Sequence, residues 1–529
     1  MKNSGKAHSA RGLAAALLLG GLLLLPSLWF DVGADQAHYN YVAWAWLEHG
    51  LPPCRSNDTC DLPGIIFVSL AALKLFGYKV ISLRLFDFFV QLVNLGLIFC
   101  LARLLQPGRQ NSRAGILASA LYALAYLGLG HWNTAQRDGF ALPFLLASAL
   151  VYLKAPAGFR RSGVLLAGLM TGMAFLMKPT LGLWGVLLAG LYLRSAGKHK
   201  RGWGATLAEQ LLLLTSALAP LLLTALVYAR SGAGFDFWKE CWVYLTQVYS
   251  QKQISAGTEG ILNRWLFAPV YLALSFLKRD QVLWLGTGLY FLRALWPGES
   301  QEQGREASRA LVLLLLVCVF SFFVQGSDLA YHKIPLLGLA AIFAGGLFSG
   351  LLDEYGRARG IFAKLAPAAA TLILLGLELL SFESKALHFL ADSSFRNLHT
   401  AYMNQEPRFH RVAEYIQSHT TPDQYVGSIG FSPALFLARR LTPTRYSFFS
   451  AILIKDKSGD YHPLLKKWQA EFCEDLRRNS PPYVLAIDLV SEVSCLKQLL
   501  AEEYSLETVI EDLRGLSDRS EPVYIYRKK

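Results

Sequence analysis

Residues 11–36 read RGLAAALLLGGLLLLPSLWFDVGADQ. The run from Arg11 to Phe30 is apolar apart from Arg11 and Ser27, and as a helix it is long enough to cross a hydrocarbon core of about 30 Å. Directly beyond it stand two carboxylates, Asp31 and Asp35, at a depth where charge is costly to desolvate. If the helix ran on, the four-residue spacing would put both acids on one face, and their repulsion would favour protonation of one of them. A carboxylate at the water boundary is suited to act as a general base, and Asp35 is the first candidate for that role.

The rest of the chain has the same character. It has 529 residues, 53% hydrophobic and 17% charged, with a mean hydropathy of +0.33. These values describe a polytopic α-helical membrane protein. Further apolar runs, the last from Ile361 to Phe382, predict about eleven transmembrane helices. After Ser381 the long apolar runs stop and a water-soluble α/β pattern begins. The expected organisation is a membrane domain over 1–382, with outer loops at 31–80 and 230–280, followed by an extracytoplasmic α/β domain over 383–529. In that domain "QYVGSIG", "PPYVLAID" and "PVYIYR" read as strands. "PRFHRVAEYIQSH", "SPALFLARR" and "SEVSCLKQLLAEEY" read as helices, the second capped by Ser432.

Lys and Arg bias sets the orientation, because basic residues concentrate in alternate short loops such as "KAPAGFRRSG" and "RSAGKHKRGWG". The net charge of +13 therefore reads as topology and contact with membrane lipids, and nucleic acid is excluded as a partner. The first helix reads as an uncleaved anchor in the cytoplasmic (inner) membrane, although "VGA" before Asp35 offers a cleavage site. A P-loop is absent, which argues against nucleotide use.

The alternation places the chemically interesting residues on the outer side. In "LRLFDFFVQLVNLG", Arg84, Asp87, Gln91 and Asn94 recur on one helical face that must avoid lipid, either bonding helix to helix or lining a polar channel. "NTAQRDGF" presents Asp138 beside Arg137, with the acid placed to cap a helix. Lys178 in "FLMKPT" has no counter-ion nearby in sequence, and "SDLAYHKIP" brings His332 and Lys333 to another helix mouth. Such cations close to carboxylates suit a phosphate group. The stretch from Asp236 to Tyr249 predicts an interfacial amphipathic helix with Trp238, Cys241, Trp242, Leu245, Val248 and Tyr249 on one face. Cys54 with Cys60, and Cys473 with Cys495, are candidate disulfides in an oxidising compartment. No cofactor is assigned, and whether a divalent metal ion joins Asp35, Asp138 and His332 is left open.

Four segments, in order, resemble the GT-C membrane glycosyltransferases related to protein O-mannosyltransferases and lipid A aminoarabinose transferases. They are "ADQAHYNYVAWAWLEHGLPP", "AQRDGFALPFLLASAL", "GLMTGMAFLMKPT" and "QGSDLAYHKIPLL". Gln36 stands where many relatives carry Glu. The resemblance implies a sugar donor on a polyprenyl phosphate, transfer with inversion, and an envelope glycan, lipid or protein as acceptor. It also implies Asp35 and Asp138 at the first-loop and second-loop acidic positions, and Lys178 and His332 near the lipid phosphate. Lys333, Arg137 and Arg84 are further candidate phosphate-binding residues by their charge. A glycosyl phosphate already carries a good leaving group, so one base and a cationic phosphate site suffice. The competing expectation is a transporter or flippase of a lipid-linked sugar or anion.

Overall fold

Pro26 decides how the chain leaves its first helix. The computed structural model describes residues 2–56, 62–105, 112–154, 160–249, 280–294, 302–325, 329–357, 407–447, 452–455, 459–487, 493–511 and 522–529. Helix α1 (Lys2–Leu24) gives way at the proline to a 3-10 turn, Leu25–Trp29, because the ring and missing N–H cannot continue an α-helix. Phe30 is extended, and α2 (Ala34–His49) starts only after Gly33, itself extended at ψ 173°. Asp31 therefore lies off the helix that carries Asp35, which corrects the expectation of a shared face.

The loop expected over 31–80 is itself helical, with α2 followed by α3 (Gly64–Phe76). Beyond it run α4 (Val80–Leu104), α5 (Arg113–Leu127), α6 (Gly130–Asn133), α7 (Arg137–Lys154), α8 (Arg160–Met177), α9 (Leu183–Lys198) and α10 (Trp203–Arg230). After α11 (Gly234–Trp238) come α12 (Gln281–Ala294), α13 (Glu302–Val324) and α14 (Ile334–Arg357). The chain divides into two units. One holds Met1–Phe30, Arg84–Leu222 and Leu262–Met403; the other holds Asp31–Leu83, Leu223–Ile261 and Asn404–Lys529.

Five described helices are long and apolar enough to cross a bilayer: Ser9–Trp29, Val80–Leu104, Trp203–Arg230, Gly304–Val324 and Ala330–Tyr355. Ala330–Tyr355 has 94% of its most apolar stretch buried and is the central helix, whereas Trp203–Arg230 has 22% buried and is dressed in exposed leucines. Helix α14 packs on α5 through Gly345, where a Cβ would fall 2.6 Å from Ala118 Cβ, so the two backbones approach as small residues permit. The expected span from Ile361 to Phe382 lies outside the described residues.

The second unit is built on a four-stranded sheet in the order β1-β2-β4-β3. Its strands are β1 (Val426–Ile429), β2 (Tyr483–Ala486), β3 (Tyr504–Ile510) and β4 (Val523–Lys528). β1 and β2 run parallel with Val426 opposite Tyr483; β4 is antiparallel to both β2 and β3. Helices α15 (Pro407–His419), α16 (Ser432–Ala438), α17 (Pro463–Asn479) and α18 (Ser494–Glu503) accompany it. Three strands match the sequence reading. The fourth, β3, is an edge strand that follows directly on α18, where the sequence reading carried the helix through Tyr504. Ser432 is the first residue of α16 rather than its cap, and the Ser428 hydroxyl instead accepts from the Phe431 N–H at 3.2 Å. Cys473 and Cys495 form the expected disulfide; the Cys54–Cys60 pairing involves Cys60, outside the described residues.

The Asp236–Tyr249 segment also departs from its expected form. It consists of α11 and a π-helical stretch, Lys239–Tyr249, whose wider turn aligns Glu240, Tyr244 and Val248 as its buried face together with Cys241. Tyr244 stacks on Trp468 at 5.6 Å and joins the core formed by Phe472, Val484, Leu496 and Leu499. Arg445 secures it through Glu240 at 3.1 Å and Asp236 at 3.5 Å. Trp238 and Trp242 are exposed and stack on each other at 5.6 Å.

Candidate active site

Three elements of the helical unit end at one place. The turn after α6 delivers Asp138 into the first turn of α7, where the helix dipole favours a carboxylate. At the end of α8, Lys178 is extended (φ −157°, ψ 110°) because Pro179 follows and opens a 3-10 turn. A second 3-10 turn, Ala330–Lys333, leads into α14 and carries His332 and Lys333. All four side chains are buried.

Asp138 and Lys178, 40 residues apart, form an ion pair in which the ammonium donates to Oδ1. The counter-ion that the sequence around Lys178 lacks is thus supplied by the neighbouring helix. His332 Nδ1 lies 3.3 Å from Lys178 Nζ and 3.4 Å from Asp138 Oδ2. Without a proton, Nδ1 accepts from the ammonium; with one, it donates to the carboxylate. The ring state is therefore coupled to the pair. Lys333 places its ammonium 5.7 Å from the Phe322 ring centre, and Arg137 is half-buried beside Asp138. Among the described residues, no three His, Cys, Asp or Glu side chains converge as a metal site requires. Asp138 and His332 have a lysine as their third member, a cation where a divalent ion would need a donor.

The polar stripe of α4 is buried and its hydrogen bonds run to α5 and to the turn before α7. Arg84 donates to the His131 carbonyl at 2.8 Å and to Thr134 Oγ1 at 2.9 Å. Asp87 accepts from Tyr126 OH at 2.8 and 2.9 Å and from Gln91 Nε2 at 2.9 Å. Gln91 Oε1 accepts from Tyr122 OH at 2.7 Å and Asn94 Nδ2 at 2.9 Å. Helix-to-helix bonding is thus the use this stripe shows. Tyr122 and Tyr126 escaped the sequence reading, although their four-residue spacing repeats that of Asp87 and Gln91 and marks a matching face.

Asp35 belongs to the other unit. It is half-buried in the first turn of α2, followed by the buried Gln36, His38 and Asn40. Helix α2 packs on α3 and α16, and Tyr41 OH accepts from the Thr442 N–H at 3.0 Å. Just before the helix, Asp31 accepts from its own neighbour, the Val32 N–H, at 2.7 Å, and both its oxygens lie 3.0–3.1 Å from His410 Nε2 on α15.

The hydrogen bond to Asp31 raises the pKa of His410 above the ordinary histidine value, against an opposing effect of burial. A raised folded-state pKa contributes its full stability below about pH 6.5, the unfolded value, and loses it as pH rises through the folded value. His410→Gln is therefore expected to lower the unfolding temperature most below about pH 6.5 and progressively less as pH rises through the raised folded-state value. The ring is 39% exposed, so solvent screening keeps the effect at about 1 kcal/mol or less. Thermal unfolding across this range checks it; a difference that grows with pH would reverse the sign argued here.

Residues 62–228 match the family described as dolichyl-phosphate-mannose-protein mannosyltransferase. The structure resembles ArnT from Cupriavidus metallidurans bound to undecaprenyl phosphate, with a TM-score of 0.55 at 16% identity, covering 98% of this chain and 97% of that one. The chain has the GT-C fold. The same GT-C architecture relates it to the oligosaccharyltransferase of Archaeoglobus fulgidus in the apo form, with a TM-score of 0.53 at 12% identity over 98% of this chain and 74% of that one. It also relates it to AglB of the same organism in complex with an inhibitory peptide and a dolichol-phosphate, with a TM-score of 0.50 at 12% identity and the same coverage. No curated protein matches the sequence. The GT-C assignment agrees with the resemblance read from the four sequence segments, the second and third of which fall inside the matched family region.

Proposed function

We propose that the protein is an integral membrane glycosyltransferase that moves a sugar from a polyprenyl phosphate to an acceptor hydroxyl on the outer face of the cytoplasmic membrane. The observation that carries this reading is the GT-C fold over nearly the whole chain, shared with a protein solved with undecaprenyl phosphate bound. The mannosyltransferase family match over 62–228 supports the same chemistry.

In the proposed reaction, Asp35 takes the proton of an acceptor hydroxyl as its oxygen attacks the anomeric carbon. The bond from that carbon to the phosphate oxygen breaks, polyprenyl phosphate leaves, and the configuration inverts. The leaving phosphate needs neighbouring positive charge rather than an acid, unlike the alcohol released by a glycosidase. Lys178, with His332, Lys333 and Arg137, fits that requirement in residue type. Asp138 orients the Lys178 ammonium through their ion pair. Arg84 takes a structural role, since its guanidinium grips the turn before α7.

The test is reconstitution of the purified protein in liposomes with a radiolabelled polyprenyl-phosphate sugar and membrane acceptors. Label in a glycosidic product is the expected result. Movement of intact lipid-linked sugar across the bilayer, with no glycoside formed, would overturn the transferase reading in favour of a flippase.

A further inference from the structure

We propose that Tyr126 and Asp87 are positioning residues: they fix the shape of the 130–139 turn and so aim Asp138 at Lys178 and His332. The inference rests on the phosphate-site reading of that cluster and adds residues to which neither the sequence resemblance nor the comparisons assign a role.

The turn has a shape it would not hold alone. Thr134 is extended (φ −89°, ψ 164°), and Ala135 sits in the left-handed region at φ 54°, where a residue with a Cβ persists only if its surroundings hold it. Those surroundings are the α4 and α5 side chains. The Ala135 N–H donates to Tyr126 OH at 2.9 Å. A phenol has one proton, and the Tyr126 proton goes to the Asp87 carboxylate, which leaves its oxygen to accept from the backbone. Every donor and acceptor in this relay then has one available direction. Arg84 grips the turn at the His131 carbonyl and at Thr134, and Asn94 Nδ2 reaches the Gly139 carbonyl at 3.4 Å, one residue past Asp138. The turn is thus held before, at and after its strained residue. Asp138 can enter α7 facing Lys178 only while Ala135 keeps this conformation.

A chain of buried bonds of this kind transmits geometry, because an unpaired member would be left without water. Tyr126→Phe removes the acceptor of the Ala135 N–H and the donor to Asp87 together. It is expected to accelerate hydrogen exchange in peptides covering 130–139 and to lower transfer activity per folded molecule by about 10²-fold, the loss that accompanies a misplacement of about 1 Å. Asp87→Asn keeps an oxygen that can accept from Tyr126 and Gln91, so it is expected to retain most of the activity. If Tyr126→Phe does not accumulate, Thr134→Val removes the bond from Arg84 and the hydroxyl's own bond to the Gly130 carbonyl at 2.9 Å, and is expected to show the same two changes to a smaller degree.

Unchanged exchange in the turn, or faster exchange with full specific activity, would overturn the positioning role. So would an Asp87→Asn protein as inactive as Tyr126→Phe. Lys178→Met acts on the cluster directly: full activity in that variant would remove the phosphate-site reading itself, whatever Tyr126→Phe does, and so separates the two failures.

Discussion

Asp35→Asn is expected to reduce sugar transfer by about 10²–10⁴-fold, the contribution of a positioned general base, while the protein accumulates at the wild-type level. An amide matches the carboxylate in size and bonds similarly at a helix start, but it cannot take the acceptor proton. The side chain is half-buried in the first turn of α2, and the helix is held by other contacts: its packing on α3 and α16, the Tyr41–Thr442 bond and ten buried residues from Gln36 to Ala45. The fold therefore does not depend on the charge. Initial rates of label transfer in reconstituted membranes, normalised to folded protein, decide the matter. A rate equal to wild type would remove Asp35 from the reaction and leave the proposed mechanism without its base.

What the sequence disclosed and what it withheld follow from how far each signal reaches. Hydrophobic length is local, so the membrane-spanning character and the change to an α/β pattern near the C-terminus could be read directly. Ordered short motifs added the GT-C resemblance. Pairing between distant residues is not local. Lys178 looked unaccompanied because its counter-ion lies 40 residues upstream, and the partners of Asp87 and Gln91 are tyrosines on the next helix. The π-helical stretch defeated the reading of residues 236–249 for a different reason: a 3.6-residue period places Trp238 and Trp242 with Cys241, whereas the wider turn buries Tyr244 and exposes both tryptophans. Pro26 is a local signal too: it ends the first helix before Asp31, so the four-residue spacing to Asp35 does not put the two acids on one face. Strand β3 is hidden because it begins at Tyr504, directly after α18 ends at Glu503.

Lys178→Met is expected to destabilise the folded protein by about 3–5 kcal/mol, because it strands the Asp138 carboxylate in a buried site. The double variant Lys178→Met/Asp138→Asn removes both charges and is expected to recover most of that loss, giving a coupling energy that a double-mutant cycle measures directly. Activity is expected to behave differently. Restoring stability does not restore an ammonium for the donor phosphate, so the double variant should remain as inactive as Lys178→Met. Two readouts on one pair thus separate its structural use from its chemical one. Unfolding temperature in detergent reports the first, and transfer rate per folded molecule reports the second. Recovery of both in the double variant would mean that Lys178 serves only to neutralise Asp138, and the donor phosphate would then have to be held by Arg137 and Lys333. Recovery of neither would mean that the pair is not the source of the instability, since neutral side chains of similar size leave no buried charge behind.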